Sequence, residues 1–199
     1  KGCTSGAIPI NVPGPTSAVA ASNAVATNVT CFGKNDGTIA ITLAGGNTPY
    51  TYVWKNTTTG TTVSALQNPI NLAPGTYNVT VSDAKLCTAT LAQPVTIQGP
   101  SAVLAATETH DNVLCPGGNT GSINLTITGG WGGTNVAWIP AIPGGGTSPS
   151  GLPAGVYTPI LSDNGGCIDT LDPITISAPP SITYGGQPVV NGVTPCNGD

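Results

Sequence analysis

Along the chain, apolar residues recur at every second position in short runs and never fall into a helical stripe. Residues 38–43 (TIAITL) and 122–127 (SINLTI) each set Ile and Leu on one face and Thr, Ala, Ser or Asn on the other, the period-2 pattern of a half-buried strand. Further strands are predicted at 50–54 (YTYVW), 76–81 (TYNVTV) and 88–97 (TATLAQPVTI). Turn residues separate them at 35–37 (NDG), 45–47 (GGN), 73–75 (APG) and 82–84 (SDA).

The pattern occurs twice. Sliding the sequence by 84 residues lays Asn28 on Asn112, Cys31 on Cys115, Gly33 on Gly117, Gly37 on Gly121, Gly45 and Gly46 on Gly129 and Gly130, and Trp54 on Trp138. Beyond the tryptophan the second copy is four residues shorter. There 152–157 (LPAGVY) answers 72–77 (LAPGTY), Asp163 answers Asp83 and Cys167 answers Cys87. Cys3 matches Cys87, and 193–196 (VTPC) starts another copy of the segment around Cys31. The chain therefore divides into residues 1–15, the end of a preceding repeat; 16–99, repeat 1; 100–178, repeat 2; and 179–199, the start of a following repeat. About seven short strands per repeat, with a Trp on the third, predict an all-β chain of tandem immunoglobulin-like β-sandwiches. Trp54 and Trp138 are expected in the cores.

Composition narrows the function. Gly and Pro number 28 and 19, there is no Met, and helices lack the Leu, Phe and Met they would bury. Four lysines without arginine, at a net charge of −4, offer little to nucleic acid or to an anionic bilayer. No run approaches the roughly 20 apolar residues of a membrane-spanning helix. Six cysteines in so uncharged a chain suit disulfides and an extracellular setting.

Candidate chemistry is sparse. His110, the one histidine, has no counterpart in repeat 1 and reads as a solvated side chain. Asp169 and Asp172 read as charges that blunt a strand edge. Asp36, Asp83, Asp111 and Asp163 sit at turns without the clustered carboxylates of a calcium site, so they read as turn caps. The Asn-x-Thr triplets at Asn28, Asn56, Asn78 and Asn124 are within chance in a chain this rich in Asn and Thr. No nucleophile–base pair, metal cluster or cofactor motif is present, and the chain is not expected to be an enzyme. Trp131 stands apart. Flanked by two glycines on either side, with Asn47 in its place in repeat 1, it is expected on a loop tip as the residue to touch a ligand or a neighbouring chain.

Three disulfide schemes fit the cysteines. Each repeat can close on itself, Cys31 with Cys87 and Cys115 with Cys167, leaving Cys3 and Cys196 to partners elsewhere. This is the preferred scheme, and a loop of about 55 residues closed in this way contributes roughly 3–4 kcal/mol. Alternatively, near-constant spacing pairs Cys3 with Cys31, Cys87 with Cys115 and Cys167 with Cys196. Third, because the first and last hairpins of a sandwich lie at opposite poles, stacked repeats could bring Cys31 to Cys167 of the following repeat.

Residues 29–39 (VTCFGKNDGTI), Gly45 and Gly46, 49–54 (PYTYVW), 72–83 (LAPGTYNVTVSD) and 87–89 (CTA) resemble the SprB-type repeat, and the second half of the repeat resembles the PKD-type module. Repeat 2 departs from the pattern at 131–138 (WGGTNVAW) and at Cys115-Pro116. The resemblance implies a segment of a long extracellular adhesin or filament on a bacterial surface, carried by a gliding machinery in some members. Its implied partners are neighbouring repeats of the same chain and, beyond them, surface polysaccharide or other filament chains. Asp169-Thr170-Leu171 resembles a short O-glycosylation signal of that bacterial group, making Thr170 a candidate site. The alternative function is a carbohydrate-binding accessory module of a secreted bacterial enzyme, motivated by Trp131.

Overall fold

The computed structural model describes residues 17–183, and among these all regular structure is β, in fourteen strands. They fall into two units. The first comprises residues 17–28 and Asn35–Gln98, the second Val29–Lys34 and residues 99–183.

In unit 1, Ala20–Thr27 (β1) pairs antiparallel with Thr38–Ala44 (β2). The far edge of β2 is met by residues 68–72: the Ile39 N–H donates to the Pro69 carbonyl at 3.0 Å, and Gly37 and Leu72 exchange two backbone bonds. The facing sheet is built on Thr51–Asn56 (β3), Thr62–Ser64 (β4), Gly75–Ser82 (β5), Thr88–Thr90 (β6) and Val95–Ile97 (β7), in the order β4-β3-β5-β6, with β7 on the other end of β5. Unit 2 repeats the plan. Ala105–Asp111 (β8), Gly121–Thr128 (β9) and Ser150–Leu152 (β11) form one sheet; Asn135–Ile139 (β10), Gly155–Ser162 (β12), Ile168–Thr170 (β13) and Ile174–Ile176 (β14) form the other.

The inward faces of the alternating strands make the cores. Ile39 and Ile41 of β2, Trp54 of β3 and Val79 and Val81 of β5 are buried, as are Ile123, Leu125, Trp138 and Leu161 in unit 2. Each core tryptophan satisfies its indole N–H locally, Trp54 on the Leu66 carbonyl and Trp138 on that of Gly146, both at 2.9 Å. Each unit also carries a buried tyrosine whose hydroxyl donates to a carbonyl four residues back, Tyr77 to Ala73 (2.8 Å) and Tyr157 to Pro153 (2.9 Å). With the Trp on the third strand, this corner is a mark of immunoglobulin-like sandwiches, and the fold is that expected from the pattern.

Three local expectations change. The strand predicted over 88–97 is two short strands. Thr90 pairs with Thr80 and Val95 with Tyr77, so Leu91, Ala92, Gln93 and Pro94 stand opposite only Asn78 and Val79. The excess bulges out at Pro94, which has no N–H to give the ladder. The four-residue deletion removes the edge strand β4, and no strand takes its place beside β10 in unit 2. Finally, residues 29–34, placed by sequence at the head of repeat 1, group with unit 2. The two terminal pieces assigned to flanking repeats, 1–15 and most of 179–199, lie outside the described residues, as do Cys3 and Cys196.

Candidate functional site

The densest polar construction in unit 2 lies where the segment 29–34, hereafter the strap, meets the turn between β12 and β13. Asp163 frames that turn. Its Oδ1 accepts the N–H groups of Gly165 (2.9 Å) and Cys167 (3.0 Å), and its Oδ2 accepts that of Trp131 (2.8 Å). Burial opposes ionisation of Asp163, but these backbone donors outweigh it and hold the carboxyl below the usual carboxylate range.

Positioned by that bond, Trp131 directs its indole N–H at the strap, donating to the carbonyls of Thr30 (2.8 Å) and Val29 (3.1 Å). Gly165 makes room for the approach. A Cβ there would lie 2.6 Å from the Thr30 oxygen and would collide with the Trp131 ring. The strap itself turns at Gly33, with a φ of 75°, and the Lys34 N–H closes the turn on the Cys31 carbonyl at 3.1 Å. This presents Cys31 to Cys167, and the two form a disulfide with Cα atoms 5.5 Å apart.

The preferred self-contained pairing is therefore not the one formed, and the near-constant spacing scheme fails with it, since Cys31 and Cys167 take each other. The reason is polar separation. Gly37, at the start of β2, bonds Leu72, whereas Asn47, beyond its end, bonds Asp83. These two bonds mark opposite ends of a seven-residue strand, about 23 Å apart at the rise of a β-strand. The same holds for β9 in unit 2, where Gly121 meets Leu152 and Trp131 meets Asp163, so Cys115, ahead of the strand, and Cys167, at the turn beyond its end, are outside disulfide reach.

Unit 1 has the same tail turn with different occupants. Asp83 accepts the N–H groups of Lys85 (2.8 Å) and Cys87 (2.9 Å) on Oδ1 and that of Asn47 (3.0 Å) on Oδ2. Here too burial opposes ionisation, and the donors, led by the Cys87 N–H, hold the carboxyl low. Asn47 stands where unit 2 has Trp131, Lys85 where it has Gly165. Cys87 is exposed with a free thiol, whereas Cys167 is 6% exposed.

The remaining candidates do not gather into a site. Trp131 is half-buried, with its indole N–H engaged on the strap, instead of at an open tip. His110 bonds the Glu108 carboxylate at 3.0 Å on exposed β8, and Asp111 accepts the Ser122 hydroxyl at 2.9 Å. Thr170 lies exposed at the end of β13, with Asp169 half-buried beside it and Asp172 exposed. Asn28 uses its side-chain oxygen to accept the Gln98 N–H, as Asn112 does for Ser177. Among the described residues no three His, Cys, Asp or Glu side chains come together to hold a metal ion. The two polar frames at Asp83 and Asp163 were legible as turn caps, but nothing local in the sequence tied Trp131 to residues a hundred positions earlier.

Comparison with known proteins finds the SprB repeat family model matching residues 23–59 and 107–133. No curated protein matches the chain. Among solved structures, a chain described as the BSP domain of a biofilm-associated protein aligns over 79% of this chain at 20% identity and a TM-score of 0.29, and the aligned region spans 30% of that chain.

Proposed function

On the premise that SprB-type repeats build this chain, we propose that it is a structural and adhesive segment of a long extracellular bacterial surface adhesin or filament, serving adhesion and, where the cell glides, gliding motility. The work is mechanical reach and surface contact, not catalysis. The observation that carries this reading is the strap. A segment that the sequence assigns to one repeat is cross-linked by Cys31–Cys167 to the tail turn of the next, which suits a quasi-one-dimensional array under tension. A disulfide also belongs to an oxidising compartment, in keeping with an extracellular place. The partners in this reading are neighbouring repeats, and beyond them surface polysaccharide or other filaments, with exposed Thr170 as a candidate glycan carrier.

Electron microscopy of the intact parent polypeptide, isolated from the cell surface without reduction, tests the proposal. The expected result is long threads beaded at the spacing of one repeat. A compact particle bearing a few beads on a globular head would overturn it in favour of accessory modules on a secreted enzyme.

A further inference from the structure

We infer that the Cys87 turn of unit 1 is itself a strap acceptor: it takes the head segment of another repeat of this type and forms a disulfide with that segment's cysteine, so that the staple seen at Cys31–Cys167 recurs from repeat to repeat. This goes beyond the adhesive reading and does not depend on it.

Four observations carry the inference. The acceptor frame is already built, since Asp83 holds the N–H groups of residues 47, 85 and 87 as Asp163 holds those of 131, 165 and 167, at matching distances. The frame fixes the cysteine in the orientation that, in unit 2, is bonded. The thiol of Cys87 is exposed and free, whereas Cys167, covered by the strap, is buried. A partner within its own repeat does not fit the repeat plan, because in unit 2 the head turn around Cys115 and the tail turn around Cys167 lie beyond opposite ends of β9. Finally, the donor half is also a repeated element. Gly117, with a φ of 77°, and the Gly118 N–H on the Cys115 carbonyl at 3.0 Å reproduce the turn of Gly33 and Lys34 around Cys31. Head and tail halves thus occur in both repeats, and the pairing rule joins the head of one repeat to the tail of the next.

The recognition differs in one respect. Asn47 replaces the indole, and its Nδ2 lies 3.5 Å from Asp83 Oδ2, a weak bond. An amide N–H is therefore available for the strap carbonyl that Trp131 meets in unit 2. Bond formation proceeds by exchange with a small disulfide oxidant. The Cys87 thiolate attacks one of its sulfurs and displaces a thiolate. The strap thiolate then attacks the mixed disulfide and releases the second, so two protein thiols are oxidised and one small disulfide is reduced to two thiols.

The full 199-residue chain is incubated in glutathione redox buffer with a peptide of residues 28–35 (NVTCFGKN) or with a scrambled peptide of the same composition, and the disulfides are mapped by mass spectrometry without reduction. Capture of the strap peptide at Cys87 is expected to exceed that of the scrambled one by about tenfold and to vanish in Cys87→Ser. The double variant Asn47→Trp/Lys85→Gly, which installs the clasp of unit 2, should raise strap capture further and leave scrambled capture unchanged. Equal capture of the two peptides at Cys87, or a native map joining Cys87 to Cys31 or Cys115, would overturn the inference.

Discussion

Gly165 and Asp163 show how single residues set the clasp. Gly165 has no side chain because Trp131 and the Thr30 carbonyl occupy the space, so Gly165→Ala forces either the indole or the strap to move. Overpacking of this kind costs roughly 1–3 kcal/mol. The expected outcome is a lower denaturation midpoint together with red-shifted tryptophan emission as the Trp131 ring is displaced toward water. Asp163 acts through charge. Its carboxyl is held below its ordinary value in the folded state, so ionisation is linked to folding. That contribution is present in full above about pH 4, the ordinary aspartate range, and is lost as pH falls through the depressed folded value. Asp163→Asn should therefore be less stable than the natural protein at neutral pH, with the two melting temperatures converging in acid. A constant gap across the titration would show that the carboxylate's charge is not what matters there.

At the level of elements, the strands that sequence reveals are those with one buried face. β2 and β9 alternate Ile and Leu with Thr and Asn, and the structure buries Ile39, Ile41, Ile123 and Leu125 of that face. β1 escapes a pattern reading. Its sequence AASNAVAT offers no apolar alternation, and it exists because β2 supplies a ladder, with a register shift between Ser22 and Val25 where Asn23 takes a φ of 51°. The tyrosine corners were equally hidden, since a Tyr on an alternating strand looks like any other core residue until its hydroxyl is seen to reach back four positions. They are testable as elements. In both Tyr77→Phe and Tyr157→Phe the ring stays packed while the Ala73 or Pro153 carbonyl loses its donor, and each should cost about 1 kcal/mol in chemical denaturation. Trp54→Ala, by contrast, empties a site that is 0% exposed and should cost about 3–5 kcal/mol.

For the molecule as a whole, the decisive feature is a covalent tie that a local sequence reading could frame only as one of three schemes, because it depends on which ends of two sandwiches carry the cysteines. Cys31 and Cys167 are 136 positions apart, and closing a loop of that length in the unfolded chain is worth about 5 kcal/mol in the chain-entropy model. Reduction, or Cys31→Ser, should lower the unfolding midpoint while the Trp131 bonds to the strap remain. The mechanical consequence is larger. When the chain is pulled from its two ends, load passes from residue 31 across the disulfide to residue 167, and everything between is bypassed. Force spectroscopy under oxidising conditions should therefore register full unfolding with a contour length shorter than in reductant by the stapled 136 residues, about 450–490 Å at the extension of a stretched chain. A self-contained pairing would instead hide two separate loops of less than half that size, so the length difference alone distinguishes a staple that relieves the sandwiches of load from one that merely stiffens each.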